Sequence, residues 1–282
     1  MIRRLAGVLV LTLVLMPAGP ASAADQGMKV EPRLQELVLK DGSRLFGTIE
    51  REDDREVVFR AHSGALVIAQ RSDILSIRPV NGRVRQGEFY RTDTHRTRLF
   101  FAPTARSLAP RQASFGVFEV SMPFVQVGVT DRFSLGGGTP LVFGFDESSR
   151  PFWITPKLQV YDGGTRQAAV GVFHIFNADG LGAGIAYGVG TFGTEDDAVT
   201  IGGGMAYSDD SRGGVVMVGA EKRVRPGIKF ISENYAWSGG AGIVSGGVRF
   251  IGEHLSADVG LAIPWGVDVF IVVPVVNFVY VF

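Results

Sequence analysis

The sequence predicts an all-β protein in which a C-terminal, antiparallel up-and-down β-barrel follows a small five-stranded β module. Three observations favour this fold class. Residues 25–282 contain no apolar run long enough for a membrane-spanning helix, so any membrane insertion must use strands. From residue 114 onward, segments of roughly 8–12 residues alternate with turn residues and lack a helical period, which predicts roughly 10–12 meandering strands. The chain ends in an alternating strand whose last residue is Phe282.

The N-terminus, residues 1–23, predicts a secretory signal peptide. It has an arginine pair at positions 3 and 4, an apolar stretch from Leu5 to Met16, and a small-residue cleavage pattern at 21–23. An uncleaved anchor is the alternative, but the apolar stretch is short for a spanning helix. The absence of Cys excludes disulfides, thiolate metal sites, a cysteine nucleophile and a lipoprotein anchor.

Residues 34–81 predict the small β module. Leu37 and Leu39 alternate with polar neighbours, and Asp41-Gly42 marks a hairpin turn. The stretch from Leu39 to Gly47 resembles the opening of Sm-like or SH3-like small barrels, some of which bind RNA. Export argues against nucleic acid, and the module lacks a basic and aromatic stacking surface. We therefore expect a periplasmic spacer, or a module with a periplasmic protein partner.

Residues 82–112 predict an Arg-rich linker. From Arg78 to Arg111 there are eight Arg against Glu88 and Asp93, which gives 8 − 2 = +6. A basic stretch beside a membrane attracts anionic headgroups, whereas a solvated linker needs no partner. The composition leaves both possibilities open.

Residues 113–282 predict the barrel, and two of its strands predict how the wall is oriented. In Leu181 to Thr191, large apolar residues such as Ile185 and Val189 alternate with Gly and Ala. Val199 to Tyr207 has the same pattern. Large groups facing lipid and small groups facing a narrow lumen would explain both strands.

Taking the apolar face of each strand as outward predicts a lumen charge network. Its six members are Lys157, Glu221, Lys229, Glu233, Arg249 and Asp258. Three basic and three acidic residues sum to 3 − 3 = 0, and charges in a narrow interior must pair or stay hydrated. We expect the three cations to reach across the lumen to the three carboxylates and form a salt-bridged plug. A relay for protons or substrate is the more specific alternative.

The C-terminal strand predicts an assembly signal. Val276, Phe278, Tyr280 and Phe282 share one face, two residues apart, at the extreme terminus. This pattern resembles the final strand that the outer-membrane barrel assembly machinery reads, and the resemblance implies that machinery as a partner. A buried sandwich strand that ends in Phe is the alternative.

Three segments resemble a group of uncharacterised exported Gram-negative outer-membrane β-barrel-like proteins. They are LFFAPTAR (Leu99 to Arg106), GVTDRFSLGGG (Gly128 to Gly138) and ISENYAW (Ile231 to Trp237). The resemblance supports one barrel domain over most of 99–282 and implies no activity.

Motifs for catalysis, metals or cofactors are weak. Gly188 to Gly193 satisfies G-x-G-x-x-G, but no helix follows that could receive a phosphate. The four His lack metal-ligand spacing, and no nucleophile elbow occurs. We therefore predict no catalytic residues, no metal and no cofactor.

The predicted function is that of an outer-membrane barrel with a structural, adhesion or small-solute role, in contact with outer-membrane lipid. A lumen-based enzyme acting on lipid or peptide is one alternative. A soluble periplasmic barrel that binds lipid is another, with the periplasm as the second choice of location.

Overall fold

The computed structural model describes residues 34–141, 150–177 and 180–282, which form two main sheets and one short hairpin. The predicted signal peptide, residues 1–23, lies outside the described residues. No helix in the described part of the chain is long and apolar enough to cross a membrane. The prediction of an all-β protein is confirmed, with a five-stranded sheet preceding a closed twelve-stranded barrel.

The five-stranded sheet has the strand order β4-β3-β2-β1-β5, and every pairing is antiparallel. Its strands are β1 (Gln35–Leu39), β2 (Arg44–Glu52), β3 (Glu56–Ala61), β4 (Leu66–Gln70) and β5 (Ile74–Pro79). The predicted turn at Asp41-Gly42 joins β1 to β2, with Gly42 at a φ of 88° that a side chain would strain. Leu37, Phe59 and Ala69 form a small core on one face.

A hairpin of β6 (Gly82–Arg85) and β7 (Glu88–Arg91) leads from this sheet towards the barrel. Phe89 of the hairpin stacks on Phe46 of β2, with ring centroids 4.2 Å apart. Arg83 pairs with Asp196, which lies in a barrel turn. The hairpin therefore connects the module to one end of the barrel through both apolar and charged contacts.

The barrel strands pair in chain order, except that β11 and β12 do not pair with each other, and β20 pairs with β8 to close the ring. The thirteen segments are β8 (Ala113–Phe118), β9 (Met122–Gly128), β10 (Phe133–Gly138), β11 (Phe152–Ile154), β12 (Lys157–Asp162), β13 (Arg166–Asn177), β14 (Gly180–Gly193), β15 (Asp197–Tyr207), β16 (Arg212–Arg225), β17 (Ile228–Trp237), β18 (Gly242–Ile251), β19 (Leu255–Trp265) and β20 (Val273–Val281).

Segments β11 and β12 occupy one position in the ring, because both pair with β10 on one side and β13 on the other. Pro156 lies between them and cannot donate a ladder hydrogen bond, which explains the interruption. The thirteen segments therefore make twelve strand positions. Closure removes the free edges that an open sheet would expose.

The two ends of the barrel differ. The end that carries both barrel termini, here called the termini end, has turns at 129–132, 163–165, 194–196, 226–227 and 252–254. The opposite end, here called the far end, has connections at 119–121, 208–211, 238–241 and 266–272, and the described residues 139–141 and 150–151 also lie there. The five-stranded module contacts the termini end through the pair of Arg78 with Glu253, 2.7 Å apart.

The outer face of the barrel is an apolar belt to which every strand contributes. One member from each segment in chain order is 41–54% exposed: Phe115, Val125, Leu135, Phe152, Leu158, Val170, Phe192, Ile201, Val218, Phe230, Val244, Val259 and Phe278. The predicted outward face of β15 agrees, since Val199, Ile201 and Met205 are exposed whereas Thr200 is buried.

The predicted orientation of β14 is wrong. Val189 is 7% exposed and packs inside the barrel, whereas Ala186 faces outward. Thr191, on the same face as Val189, is fully buried. The inversion has a physical cause, because the lumen at this level is filled by apolar side chains that need large apolar partners.

Candidate functional site in the barrel lumen

The lumen is occupied by residues 93–108, which we call the plug. Leu99, Phe100 and Ala105 are buried with no exposed area, although they lie between the hairpin and β8. The plug is a hairpin-like loop: the Leu99 N–H donates to the Ala102 carbonyl, and the Thr104 N–H donates to the Thr97 carbonyl, both at 2.9 Å. This placement corrects the predicted linker at 82–112, which is neither solvated nor free to meet headgroups over this stretch.

The tip of the plug forms an apolar core with the wall. Leu99 and Phe100 pack with Val189, Met217 and Ile231 of three different strands, and Val275 of β20 belongs to the same cluster. Burying large apolar side chains stabilises the loop by about 1.5–3 kcal/mol per fully buried side chain. The plug is therefore held by packing as well as by polar contacts.

Arg249 of β18 is the most connected anchor of the plug. Its guanidinium donates to Asp93 Oδ2 at 3.2 Å and to the carbonyls of His95, Arg98 and Leu99 at 2.9, 3.2 and 2.6 Å. It also forms a bidentate pair with Asp258, its register partner on β19, at 2.6 and 3.0 Å. One buried cation therefore binds a wall carboxylate and four groups of the plug.

Asp93 neutralises two like charges that face each other on neighbouring wall strands. Lys229 and Arg249 are register partners on β17 and β18, and like charges directly opposite each other destabilise a sheet. Asp93 Oδ2 lies 2.5 Å from Lys229 Nζ and 3.2 Å from Arg249 Nη1, so one plug carboxylate serves both cations. Glu221 adds a further contact to Lys229 at 2.9 Å and pairs with Arg106 of the plug.

Lys157 and Glu233 bind the plug backbone. Lys157 Nζ donates to the carbonyls of Thr97, Thr104 and Arg106 at 3.3, 3.0 and 2.6 Å. Glu233 Oε2 accepts the N–H groups of Phe101 and Ala102, both at 3.0 Å. Its other oxygen accepts the Tyr235 hydroxyl at 2.7 Å. These bonds satisfy backbone groups that a buried loop would otherwise leave unpaired.

All six residues of the predicted lumen charge network are buried, between 0 and 3% exposed. Their partners differ from the predicted ones. Lys229 with Glu221 and Arg249 with Asp258 are pairs between nearby strands, whereas Lys157 and Glu233 bind the plug and form no ion pair among the described residues. Cations do not span an empty lumen, because the plug fills it.

Sequence reasoning missed the plug residues Asp93, Arg98 and Arg106. The available signal was the apolar run Leu99 to Ala102 inside a basic stretch, which a solvated linker has no reason to contain.

The predicted assembly-signal residues lie on the outer face of β20. Phe278, Tyr280 and Phe282 are 43, 41 and 75% exposed, and Val276 shares their face. The alternate residues Val275, Asn277, Val279 and Val281 are buried inside. Asn277 donates its amide to the Phe100 carbonyl of the plug at 3.2 Å.

The buried histidine of the plug does not complete a catalytic arrangement. His95 Nδ1 lies 3.5 Å from Asp258, but His95 Nε2 has no hydrogen-bond partner among the described residues, so no hydroxyl nucleophile adjoins it there. No group of three His, Asp or Glu in the described part of the chain is placed to hold a metal ion.

A cavity of about 430 Å³ lies between the tip of the plug and the far end of the barrel. Its walls are mainly apolar and include Trp153, Ile185 and Val189. Arg98 and Phe101 of the plug also line it. An adjoining space, which shares Phe173, Ile175 and Ile185 with the cavity, lies beside the far-end residues Ser208, Ser211 and Ser238.

A test of the plug position uses two glycines of the wall. A Cβ at Gly219 would lie 2.1 Å from Leu99 Cδ1 and 2.8 Å from the Ser232 carbonyl oxygen, whereas a Cβ at Gly188 meets nothing within 4 Å. We expect Gly219→Val to destabilise the folded barrel by about 1–3 kcal/mol through overpacking. The measurement is the urea midpoint of the folded gel band.

Gly188→Val is the matched control and should leave the midpoint unchanged. Adding Leu99→Ala to Gly219→Val should recover part of the loss, because the closer clash disappears. Equal effects of the two valine substitutions would show that Leu99 does not lie against Gly219.

Comparison with known proteins gives likenesses of shape. No protein-family model and no curated protein sequence matches the chain. Similar solved structures include a KdgM porin and a KdgM porin in complex with disordered oligogalacturonate, each 8% identical, covering 60% of this chain and 96% of that chain with a TM-score of 0.46. OmpTdeltaL8, a loop-deletion mutant of an outer membrane protein of Vibrio cholerae, is 12% identical over 89% of this chain and 97% of that chain, with a TM-score of 0.34. At these scores, the likenesses identify no family for this chain.

Proposed function

We propose that this chain is an outer-membrane β-barrel protein of a Gram-negative cell whose lumen is closed by its own plug. The observation that carries the proposal is the burial of residues 93–108, bonded to side chains of β12, β14, β16, β17, β18 and β20. A loop anchored on so many strands obstructs the lumen at the level where it lies. The closed lumen favours a structural or adhesion role over small-solute transport.

The apolar belt supports the outer-membrane location. Soluble monomers rarely expose contiguous apolar patches larger than a few hundred Å². Here exposed Val, Leu, Ile and Phe side chains encircle the barrel, while the charged residues Lys229, Glu233 and Arg249 are buried inside. This is the arrangement that a barrel in lipid requires. A soluble periplasmic barrel would leave the belt in water.

A lumen-based enzyme acting on lipid or peptide ranks second. Within the described residues, His95 and Asp258 form a buried histidine–carboxylate pair, 3.5 Å apart, in which Asp258 is also bonded to Arg249. We therefore propose a binding or structural protein without catalytic residues.

The test combines fractionation with electrical recording. We expect the mature protein to stay with outer membranes through high-salt and carbonate washes, and to change mobility between boiled and unboiled gel samples. Reconstituted in a planar bilayer, it should show no steady conductance. Release by salt would contradict the location, and large, stable wild-type channels would contradict the closed lumen.

A further inference from the structure

We infer that the far-end cavity is a binding site for a single-chain lipid with an anionic head, the chemical class of a fatty acid, with Arg98 as the residue that binds the head. This site rests on the plug of the proposed function, because plug residues form its floor.

The first step of the argument is the charge balance of the lumen. The buried barrel and plug cations Arg106, Lys157, Arg223, Lys229 and Arg249 are matched in number by Asp93, Asp196, Glu221, Glu233 and Asp258, which gives 5 − 5 = 0. Arg98 is a further cation that is not included in this balance. No carboxylate among the described residues lies within 4.0 Å of its guanidinium.

The second step is the state of the Arg98 side chain. Its Nη1 donates to the Phe101 carbonyl at 3.1 Å and its Nη2 donates to Thr155 Oγ1 at 3.2 Å, so both partners are neutral. Its Nε is buried and has no partner among the described residues. The guanidinium carbon lies 5.6 Å from the ring centroid of Phe124. A cation enclosed by apolar walls is stabilised by an anion that accepts charge-assisted hydrogen bonds.

The third step is the shape and chemistry of the cavity. Its volume of about 430 Å³ lies within the range of small-molecule sites. Apolar side chains such as Phe118, Ile185 and Met217 line it, while Arg98 and Thr155 lie at the plug side. An apolar tunnel with one cation at its closed end fits an acyl chain whose carboxylate reaches Arg98. The adjoining space at the far end, whose lining is mainly apolar and includes Arg212, provides entry.

Tyr187 supplies a second polar group. It lines the cavity, and its hydroxyl has no hydrogen-bond partner among the described residues. Arg98 and Tyr187 thus offer donors to a carboxylate, whereas Glu233 is fully occupied by the plug backbone and Tyr235. A neutral long-chain alcohol would gain the apolar contacts but not the charge-assisted bond.

The experiment measures binding of palmitate and of hexadecanol to the full-length protein in lipid nanodiscs, by displacement of the fluorescent fatty acid cis-parinaric acid. We expect saturable binding of palmitate at one site. Arg98→Gln should weaken palmitate binding by about tenfold to a hundredfold, the value of one charge-assisted hydrogen bond, and should leave hexadecanol binding nearly unchanged. Arg98→Lys should retain most of the palmitate affinity.

Two tryptophan variants separate the cavity from the lipid-facing surface. Ile185→Trp fills the cavity and should weaken both ligands, whereas Ile201→Trp, on the exposed face of β15, should weaken neither. Palmitate binding that Ile185→Trp leaves intact would overturn the inference, as would an equal response of both ligands to Arg98→Gln. If Arg98→Gln fails to fold, Ile185→Trp and Arg98→Lys still test whether palmitate binds in the cavity. A wild type that conducts steadily yet binds palmitate through Arg98 would contradict the closed lumen alone.

Discussion

Replacing Asp93 with Asn is expected to open a lumen that is otherwise closed. The substitution keeps the size of the side chain but removes the only plug carboxylate that lies between Lys229 and Arg249 in the described structure. Those two cations then face each other across neighbouring strands without a shared counter-charge. Removing one partner of a buried pair costs about 3–5 kcal/mol. Since each 1.4 kcal/mol is tenfold, the released plug should become about two to four orders of magnitude more populated.

The measurement is planar-bilayer recording of the variant beside the wild type, with frequent openings expected only from the variant. Asp131→Asn, in an exposed turn of the termini end, is the matched control and should remain silent. Adding Lys229→Met to Asp93→Asn removes one of the two facing cations, so the double variant should open less often than the sum of the single effects predicts. A silent Asp93→Asn variant that still folds would show that the charge contacts do not hold the plug.

Deleting Tyr280 to Phe282 is expected to prevent barrel assembly. These residues make part of the ring closure, because Tyr280 pairs with Phe115 and Val281 pairs with Ser114 in the ladder between β20 and β8. The Phe282 N–H also donates to the Ala113 carbonyl at 2.9 Å. Without them, β8 keeps an unpaired edge over this stretch, to which lipid at the proposed membrane location cannot hydrogen-bond. The folded gel band should be largely lost, and the chain should accumulate as a protease-sensitive form.

Phe282→Ala separates the two roles of this segment, since it keeps the backbone pairing and removes only the terminal aromatic ring. We propose that the ring is part of the signal for the barrel assembly machinery, so this variant should assemble more slowly in cells. Phe270→Ala, in the far-end connection and 79% exposed, is the control and should assemble normally. Normal insertion of the three-residue deletion would contradict both the closure and the signal.

The alternation of side chains along the strands made much of the structure predictable from the sequence. Because side chains alternate strictly along a strand, a charged residue opposite an apolar face was assigned correctly to the interior at Lys229, Arg249 and Asp258. The same alternation places Val275 and Val279 inside and Phe278 outside. The rule failed at β14, whose two faces are both uncharged, so that the alternation there did not distinguish lumen from lipid.

The plug shows why composition alone is an incomplete guide. An Arg-rich stretch resembles a solvated linker when its partners are unknown, because a guanidinium is as stable in water as in a buried ion pair. Arg106 is buried here because Glu221 of β16 and the Thr194 carbonyl, both far along the chain, lie next to it. Lys157 is buried because three plug carbonyls converge on it.

The sequence by itself determined the all-β class, the barrel at the C-terminal side, the small sheet before it and the inward charges, since each depends on local alternation and turn chemistry. Only the tertiary structure decided what fills the lumen, which residues the inward charges bind, and that a cavity with Arg98 at its floor remains beyond the plug. The reason is physical. Pairing within a strand meander is local, whereas the contacts of residues 93–108 join groups separated by up to 177 positions along the chain. Such contacts stabilise the fold only after the ring has closed around residues 93–108.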